Sequence, residues 1–211
     1  MFILKDKTNW LYLTIVIILA TFSIGGILFF RHQLLVEDVI AMESFNILRP
    51  APLPTEINQN FLTQVNDCFI PVAALYGYTL RISSGFRTIA EQDEIYNQGR
   101  TVNGHLVTDA QGGKSIHNYG YAVDIVDRWN EYNIDWKKLA KITTFCRLEP
   151  SEEGDISHVE YRGGISTRDF MYGSRPEPLT LPCEIMKERS ELKEKLTLKD
   201  LKNCGAPNFS N

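Results

Sequence analysis

The hydrophobic pattern begins with an apolar run near the N-terminus. Residues 10–30 contain no charged side chain, and they lie between Lys5 and Lys7 on one side and Arg31 on the other. At about 1.5 Å per residue, a helix of this length spans roughly 30 Å, the thickness of a bilayer core. We therefore expect residues 1–31 to form a cytoplasmic tip and one transmembrane helix.

Two other interpretations of this run fit less well. A secretory signal has a shorter apolar centre and a small-residue cleavage site, and no convincing site precedes Arg31. A buried helix of a soluble core is rarely apolar on every side over such a length. The positive charge is slightly heavier before the run, which predicts an inside N-terminus and a catalytic region outside the cytoplasmic (inner) membrane.

A linker and a mixed α+β region follow. Residues 32–54 end in three closely spaced prolines that cannot propagate a helix. Apolar residues from Ile57 to Phe69 then recur at helical spacing, with Thr55 as a candidate cap and an end near Pro71. The alternation at residues 80–82 predicts a short strand.

The second half of this region also alternates predicted helices and strands. Thr88 and Glu91 have the spacing of a capping box, which predicts a helix that stops near Gly99. A glycine-rich loop comes next, followed by a predicted strand at residues 122–126. The pattern predicts a further helix at residues 136–148 and a further strand at residues 157–161.

This order predicts one α+β domain over residues 55–172, with helices packed on a small antiparallel sheet. Residues 173–211 are charged, and we expect a partly helical tail packed on the domain. The net charge of -4 and the isoelectric point near 5.6 provide no broad basic surface, so a nucleic-acid partner is excluded.

The four cysteines contain no C-x-x-C pair, which argues against a thiolate zinc cage. In an exported chain, Cys183 and Cys204 are the more plausible disulfide. Cys68 and Cys146 lie in apolar, helix-like stretches, where a buried free thiol is the alternative.

The candidate chemistry centres on three residues. His117 and His158 each touch a predicted strand, whereas the other two histidines lie beside the apolar run and in the glycine-rich loop. Asp124 is embedded between Val123 and Ile125, where an unpaired carboxylate is costly. Two histidines and one carboxylate form a common catalytic zinc site, and Gly120 permits the turn that brings them together.

Other polar residues could complete such a site. Asp155, three residues before His158, is the candidate general base, with Glu152, Glu153 and Glu160 as rivals. Arg87 would stabilise an oxyanion or a substrate carboxylate. Glu160 shares a strand face with His158 and would orient its second nitrogen.

The stretches SGFRTIAEQDEIYNQGRT, GGKSIHNYGYAVDIV and DISHVEY resemble signature blocks of a zinc peptidase family. This family contains D-Ala-D-Ala carboxypeptidases and L-alanyl-D-glutamate endopeptidases that act on peptidoglycan stem peptides. The resemblance implies one zinc ion held by His117, Asp124 and His158, with Asp155 as catalytic acid/base and Arg87 stabilising the transition state. It further implies that Ser115 and Gln92 touch substrate.

Two function classes follow from these residues. The first is a zinc peptidase that trims stem peptides at the outer face of the membrane, cleaving either the D-alanyl-D-alanine or the L-alanyl-D-glutamate bond. The second is a non-catalytic zinc module that recognises cell wall or a protein partner, as in the hedgehog domains with a similar fold. A binding module needs neither Asp155 nor Arg87, so the enzyme is favoured.

Overall fold

The structure, a computed structural model, describes residues 51–150 and 155–208. The expected transmembrane helix at residues 10–30, and all but the end of the expected linker, lie outside the described residues. Within the described ranges, no helix is long and apolar enough to cross a membrane.

The first helical segment runs without a break from Gln59 to Leu75. It consists of α1 (Gln59–Gln64), a π-helical stretch (Val65–Phe69) and α2 (Ile70–Leu75). The π-helical stretch ends two residues before Pro71, which lacks an N–H group and crowds the preceding turn of an α-helix. The helix therefore continues past the predicted end at Pro71.

The N-terminal cap of this helix also differs from the prediction. Asn58, rather than Thr55, caps α1, and its side-chain oxygen accepts a hydrogen bond from the backbone N–H of Phe61 at 3.1 Å. Asn and Thr are both good N-cap residues, and Asn58 is the one that directly precedes the first helical residue.

Four strands form one antiparallel sheet in the order β1-β2-β4-β3. The strands are β1 (Leu80–Ser84), β2 (Ala122–Asp127), β3 (Glu149–Pro150) and β4 (His158–Glu160). This sheet and the helices around it confirm the predicted α+β class. Sequence analysis missed β3, a two-residue strand too short to show an alternating pattern.

The remaining helices of the domain follow the predicted pattern. The capping box of Thr88 and Glu91 is present at the start of α3 (Ile89–Asn97). The next helix, α4 (Trp136–Phe145), ends three residues before the predicted end. The core lies between the first helical segment, α4 and one face of the sheet, to which β2 contributes Val123 and Ile125.

The C-terminal part of the chain packs on the same core. It contains α5 (Thr167–Met171), α6 (Glu184–Glu191) and α7 (Leu198–Asn203). Met186 of α6 and Leu201 of α7 are buried in the core cluster. The Asn60 side chain exchanges two hydrogen bonds with the Leu179 backbone, at 2.6 and 2.8 Å, and holds the connecting segment along α1.

Two disulfides join these parts. Cys183–Cys204 forms as expected, and it links the start of α6 to the end of α7. Cys68 and Cys146 also form a disulfide, so the alternative of two buried free thiols is wrong. The pair was hard to predict because its partners, 78 residues apart, meet only when the π-helical stretch packs against α4.

The longer disulfide should contribute more to stability. The chain-entropy model gives about 4.5 kcal/mol for the 78-residue separation of Cys68 and Cys146, and about 3.3 kcal/mol for the 21-residue separation of Cys183 and Cys204. We expect the paired Cys→Ala variants to lower the free energy of unfolding in that order, as measured by urea denaturation. Equal stability of wild type and the Cys68→Ala/Cys146→Ala variant would contradict this expectation.

Candidate metal centre

A tight turn brings His117 towards Asp124. His117 lies in a 3₁₀ helix (Ile116–Tyr119) that ends at Gly120, whose φ of 77° is in the left-handed region. A Cβ atom at Gly120 would lie 2.6 Å from the backbone oxygen of Glu56. Only glycine fits this turn without strain, and the turn reverses the chain just before β2.

Pairing of β2 with β4 places His158 directly opposite Asp124. His117 Nε2 and His158 Nδ1 are 3.1 Å apart, and each lies 3.3 Å from Asp124 Oδ1. Tetrahedral zinc, with ligand bonds of about 2.0–2.1 Å, requires its ligand atoms to be separated by about 3.3 Å. The three predicted ligands therefore match the spacing that zinc requires.

Hydrogen bonds on the far side of each ring determine which nitrogen faces this space. His117 Nδ1 lies 2.6 Å from the carbonyl oxygen of Gly85, which can only accept, so this nitrogen carries the hydrogen. His158 Nε2 lies 2.9 Å from a carboxylate oxygen of Glu160, as predicted for that residue. His117 Nε2 and His158 Nδ1 therefore face Asp124, and once His158 has lost its Nδ1 proton both rings would offer a lone pair to a metal ion, which is the arrangement of metal-binding histidines.

The three side chains lie in a largely dehydrated position. His117 is 2% exposed, and the side chains of His158 and Asp124 are 15% and 17% exposed. Burial would raise the pKa of Asp124, but hydrogen bonds from both histidines and the charges of His117 and Arg87 lower it well below 3.8. His117, Asp124 and His158 are the one group of three possible metal ligands in the described part of the chain.

The pKa of His158 is shifted upwards, whereas that of Asp124 is shifted downwards. Burial alone would lower the pKa of His158, but its hydrogen bonds and charge interactions with Asp124 and Glu160 raise it from 6.5 to about 9. In the metal-free protein this interaction stabilises the fold fully below pH 6.5, and the contribution is lost as the pH rises through about 9.

Arg87 completes the centre from the loop after β1. One of its terminal nitrogens contacts Asp124 Oδ2 and lies 3.2 Å from His117 Nε2. Ser84 and Gln92 each accept a further hydrogen bond from the guanidinium group, at 3.1 Å. This arginine supplies the positive charge that the carboxylate needs when no metal is bound.

Gln92, which the resemblance implies touches substrate, lies inside the protein beside Arg87. Its side chain is fully buried, and it donates a hydrogen bond to the backbone oxygen of Ala110 at 2.8 Å while accepting one from Arg87. A fully buried side chain has no free surface for a ligand, so its contacts are with Arg87 and the glycine-rich loop rather than with substrate. Ser115 precedes the 3₁₀ helix and is also buried.

Asp155 is linked to the centre through its backbone. Its backbone oxygen accepts a hydrogen bond from the His158 N–H group at 3.2 Å, which forms the predicted turn, and its side chain is exposed. The rival acids Glu152 and Glu153 lie outside the described residues.

Sequence analysis missed one buried residue that holds the centre together. Asn118 accepts a hydrogen bond from Gly113 N–H at 2.9 Å and donates to the backbone oxygens of Arg87 and Thr88, at 2.8 and 3.2 Å. It thereby joins the loop that carries Arg87 to the turn that carries His117. Its position next to His117 was the only available signal.

The middle part of the chain is similar to a known protein family. Residues 55–150 match the family described as VanY: D-alanyl-D-alanine carboxypeptidase. The resemblance to this peptidase family that the sequence motifs predicted is thus confirmed over residues 55–150, which are slightly less than half of the chain.

The chain is also similar to two individual proteins. It is 41% identical over 93 residues to the peptidoglycan L-alanyl-D-glutamate endopeptidase CwlK of Bacillus subtilis (strain 168), covering 44% of this chain and 55% of that relative. The chain thus spans about half the length of this relative. A solved structure of a vancomycin resistance D,D-pentapeptidase VanY with Zn(II) aligns at 18% identity, with a TM-score of 0.44, over 57% of this chain and 93% of the other.

Zinc affinity should depend on pH through His158. At neutral pH this histidine carries a proton in the metal-free protein, because its pKa is about 9, and zinc must displace that proton. We expect the zinc dissociation constant to fall about tenfold per pH unit from pH 7 to about 9 and then to level off.

Competition with a chromophoric chelator of known pH dependence measures this constant. His105→Ala, in the exposed loop, is the control and should show the same slope. A dissociation constant that does not change between pH 7 and 9 would contradict the assignment of His158.

Proposed function

We propose that this protein is a zinc-dependent peptidase that hydrolyses an amide bond in peptidoglycan stem peptides. The observation that carries the proposal is the triangle formed by His117 Nε2, His158 Nδ1 and Asp124 Oδ1, with sides of 3.1–3.3 Å. The match of residues 55–150 to the VanY-like family supports a peptidoglycan substrate.

His117, Asp124 and His158 would hold one zinc ion through two nitrogens and one oxygen. A bound zinc ion supplies Lewis-acid polarisation of the scissile carbonyl group and lowers the pKa of a water molecule. A set of three protein ligands is typical of catalytic rather than structural zinc.

Asp155 acts as general base and then as general acid. It takes a proton from the attacking water as the new C–O bond forms, and it gives the proton to the amine nitrogen as the C–N bond breaks. Its exposed carboxylate, one turn before His158, is free to meet a bound peptide. The products are a carboxylate and an amine.

Arg87 stabilises the negative charge that develops on the carbonyl oxygen. Its guanidinium group is held beside the predicted ligands by Ser84 and Gln92, so it needs little rearrangement during the reaction. Gln92 is thus a positioning residue for Arg87 rather than a contact for substrate.

We also propose that the peptidase acts at the outer face of the cytoplasmic membrane, anchored by the apolar segment at residues 10–30. The two disulfides support an exported domain, because disulfides persist in oxidising compartments. A tethered enzyme would trim wall peptides close to the membrane surface.

The proposed reaction can be tested on muropeptides with intact pentapeptide stems. We expect full-length protein in detergent to cleave them, a chelator to stop cleavage and added zinc to restore it. Mass spectrometry separates the two bonds: loss of one D-alanine indicates a carboxypeptidase, and release of the stem beyond L-alanine indicates the endopeptidase named for the relative CwlK. No cleavage by folded, zinc-loaded protein would favour the non-catalytic zinc module.

The role of Asp155 gives a separate prediction. Asp155→Asn should bind zinc as tightly as wild type but lose about 10²- to 10⁴-fold in turnover, because the amide cannot accept the proton. Zinc titration and product formation measure the two effects. Glu188→Gln, an exposed change on α6, is the matched control and should leave both unaffected. Full activity of Asp155→Asn would assign the base to another residue.

A further inference from the structure

Arg162 lies two residues after Glu160, immediately beyond β4. Its Nε atom donates a hydrogen bond to Glu160 Oε1, and a terminal nitrogen lies 3.4 Å from Glu160 Oε2. That second oxygen also accepts the hydrogen bond from His158 Nε2 at 2.9 Å. A continuous chain of contacts therefore leads from Arg162 through Glu160 to a predicted zinc ligand.

The arginine is itself held from two sides. Its other terminal nitrogen donates to Thr167 Oγ1 in α5 at 3.0 Å, and its backbone N–H donates to Glu149 Oε1 of β3 at the same distance. The Arg162 side chain is 34% exposed, whereas that of Glu160 is 14% exposed. The guanidinium group thus bridges the protein surface and the partly buried carboxylate.

The contact geometry explains why Glu160 needs such a partner. The hydrogen bond to His158 occupies Oε2 alone, and a carboxylate held by one oxygen can still rotate about its last bond. A second hydrogen bond on Oε1 holds both oxygens, and a forked guanidinium group is well suited to this. Fixing the carboxylate also fixes the plane of the His158 ring and leaves Nδ1 facing Asp124.

We propose that Arg162 is a positioning residue for the metal centre, acting through Glu160 to present His158 Nδ1 to zinc. The inference rests on the proposed zinc site and extends it by one further residue. The hydrogen bonds of the Arg162 side chain go to Glu160 and Thr167 and not to the predicted ligands, so its effect is expected on the affinity and geometry of the metal site.

Zinc affinity and the absorption spectrum of the cobalt-substituted protein test this proposal on full-length protein. We expect Arg162→Gln to weaken zinc binding about 10- to 100-fold and to alter the cobalt spectrum, as loss of a residue that orients a ligand does. Arg162→Lys keeps the charge without the fork, so it should recover only part of the affinity. Arg168→Gln, an exposed arginine on α5, is the matched control and should match wild type.

A double-mutant cycle separates positioning from general support of the fold. If Arg162 acts through Glu160, Arg162→Gln should weaken zinc binding little further when Glu160→Gln is already present. Thr167→Val removes the contact between Arg162 and α5 but leaves that with Glu160, so its zinc affinity should remain close to wild type. Additive losses in the cycle would overturn the proposal.

Each outcome distinguishes this inference from the proposed peptidase. Wild-type affinity and spectrum in both Arg162→Gln and Arg162→Lys overturn the positioning role and leave the peptidase standing. Should Arg162→Gln fail to fold, the lysine variant carries the same test. A zinc-binding wild type that responds to Arg162 but cleaves no muropeptide overturns the peptidase alone, and a wild type that binds no zinc overturns both.

Discussion

The rest of the site depends on one partly buried carboxylate, that of Asp124 on β2, which is one of the two central strands of the sheet. A carboxylate in this position is costly unless cations or hydrogen-bond donors surround it. Arg87, His117 and His158 supply those partners from three separate segments: the loop after β1, the turn before β2 and the strand opposite. The same convergence that stabilises the carboxylate creates a space with the dimensions of a zinc site.

One face of the sheet packs on the helices, and the other carries the candidate metal centre. Behind it, the first helical segment and α4 are joined by Cys68–Cys146 and covered by the C-terminal helices, which gives β2 a fixed support. In front of it, the Gly85 carbonyl and Glu160 fix the two imidazole rings. A metal site needs this separation, because ligands placed to within fractions of an ångström require a rigid support.

Residues close to one another in sequence were predictable, whereas contacts across the fold were not. The embedded carboxylate and the Gly120 turn pointed to His117 and Asp124, which the structure brings together with His158, and the capping box predicted the start of α3. The burial of Gln92 depends on how the glycine-rich loop folds over α3, and no local pattern encodes that. Likewise, the disulfide of Cys68 and the contacts of Asn118 exist only once distant segments have packed.

The balance of charge at the centre also bears on its chemistry. Asp124 and Glu160 carry the negative charges, and each is paired with its own arginine, Arg87 and Arg162. The arginines therefore offset the two carboxylates, and these carboxylates would not cancel the charge of a metal ion that displaced the His158 proton. A centre with excess positive charge in a poorly hydrated position suits a reaction whose transition state places negative charge on a carbonyl oxygen, because such preorganised charge requires no rearrangement as the reaction proceeds. A structural zinc site needs no such excess.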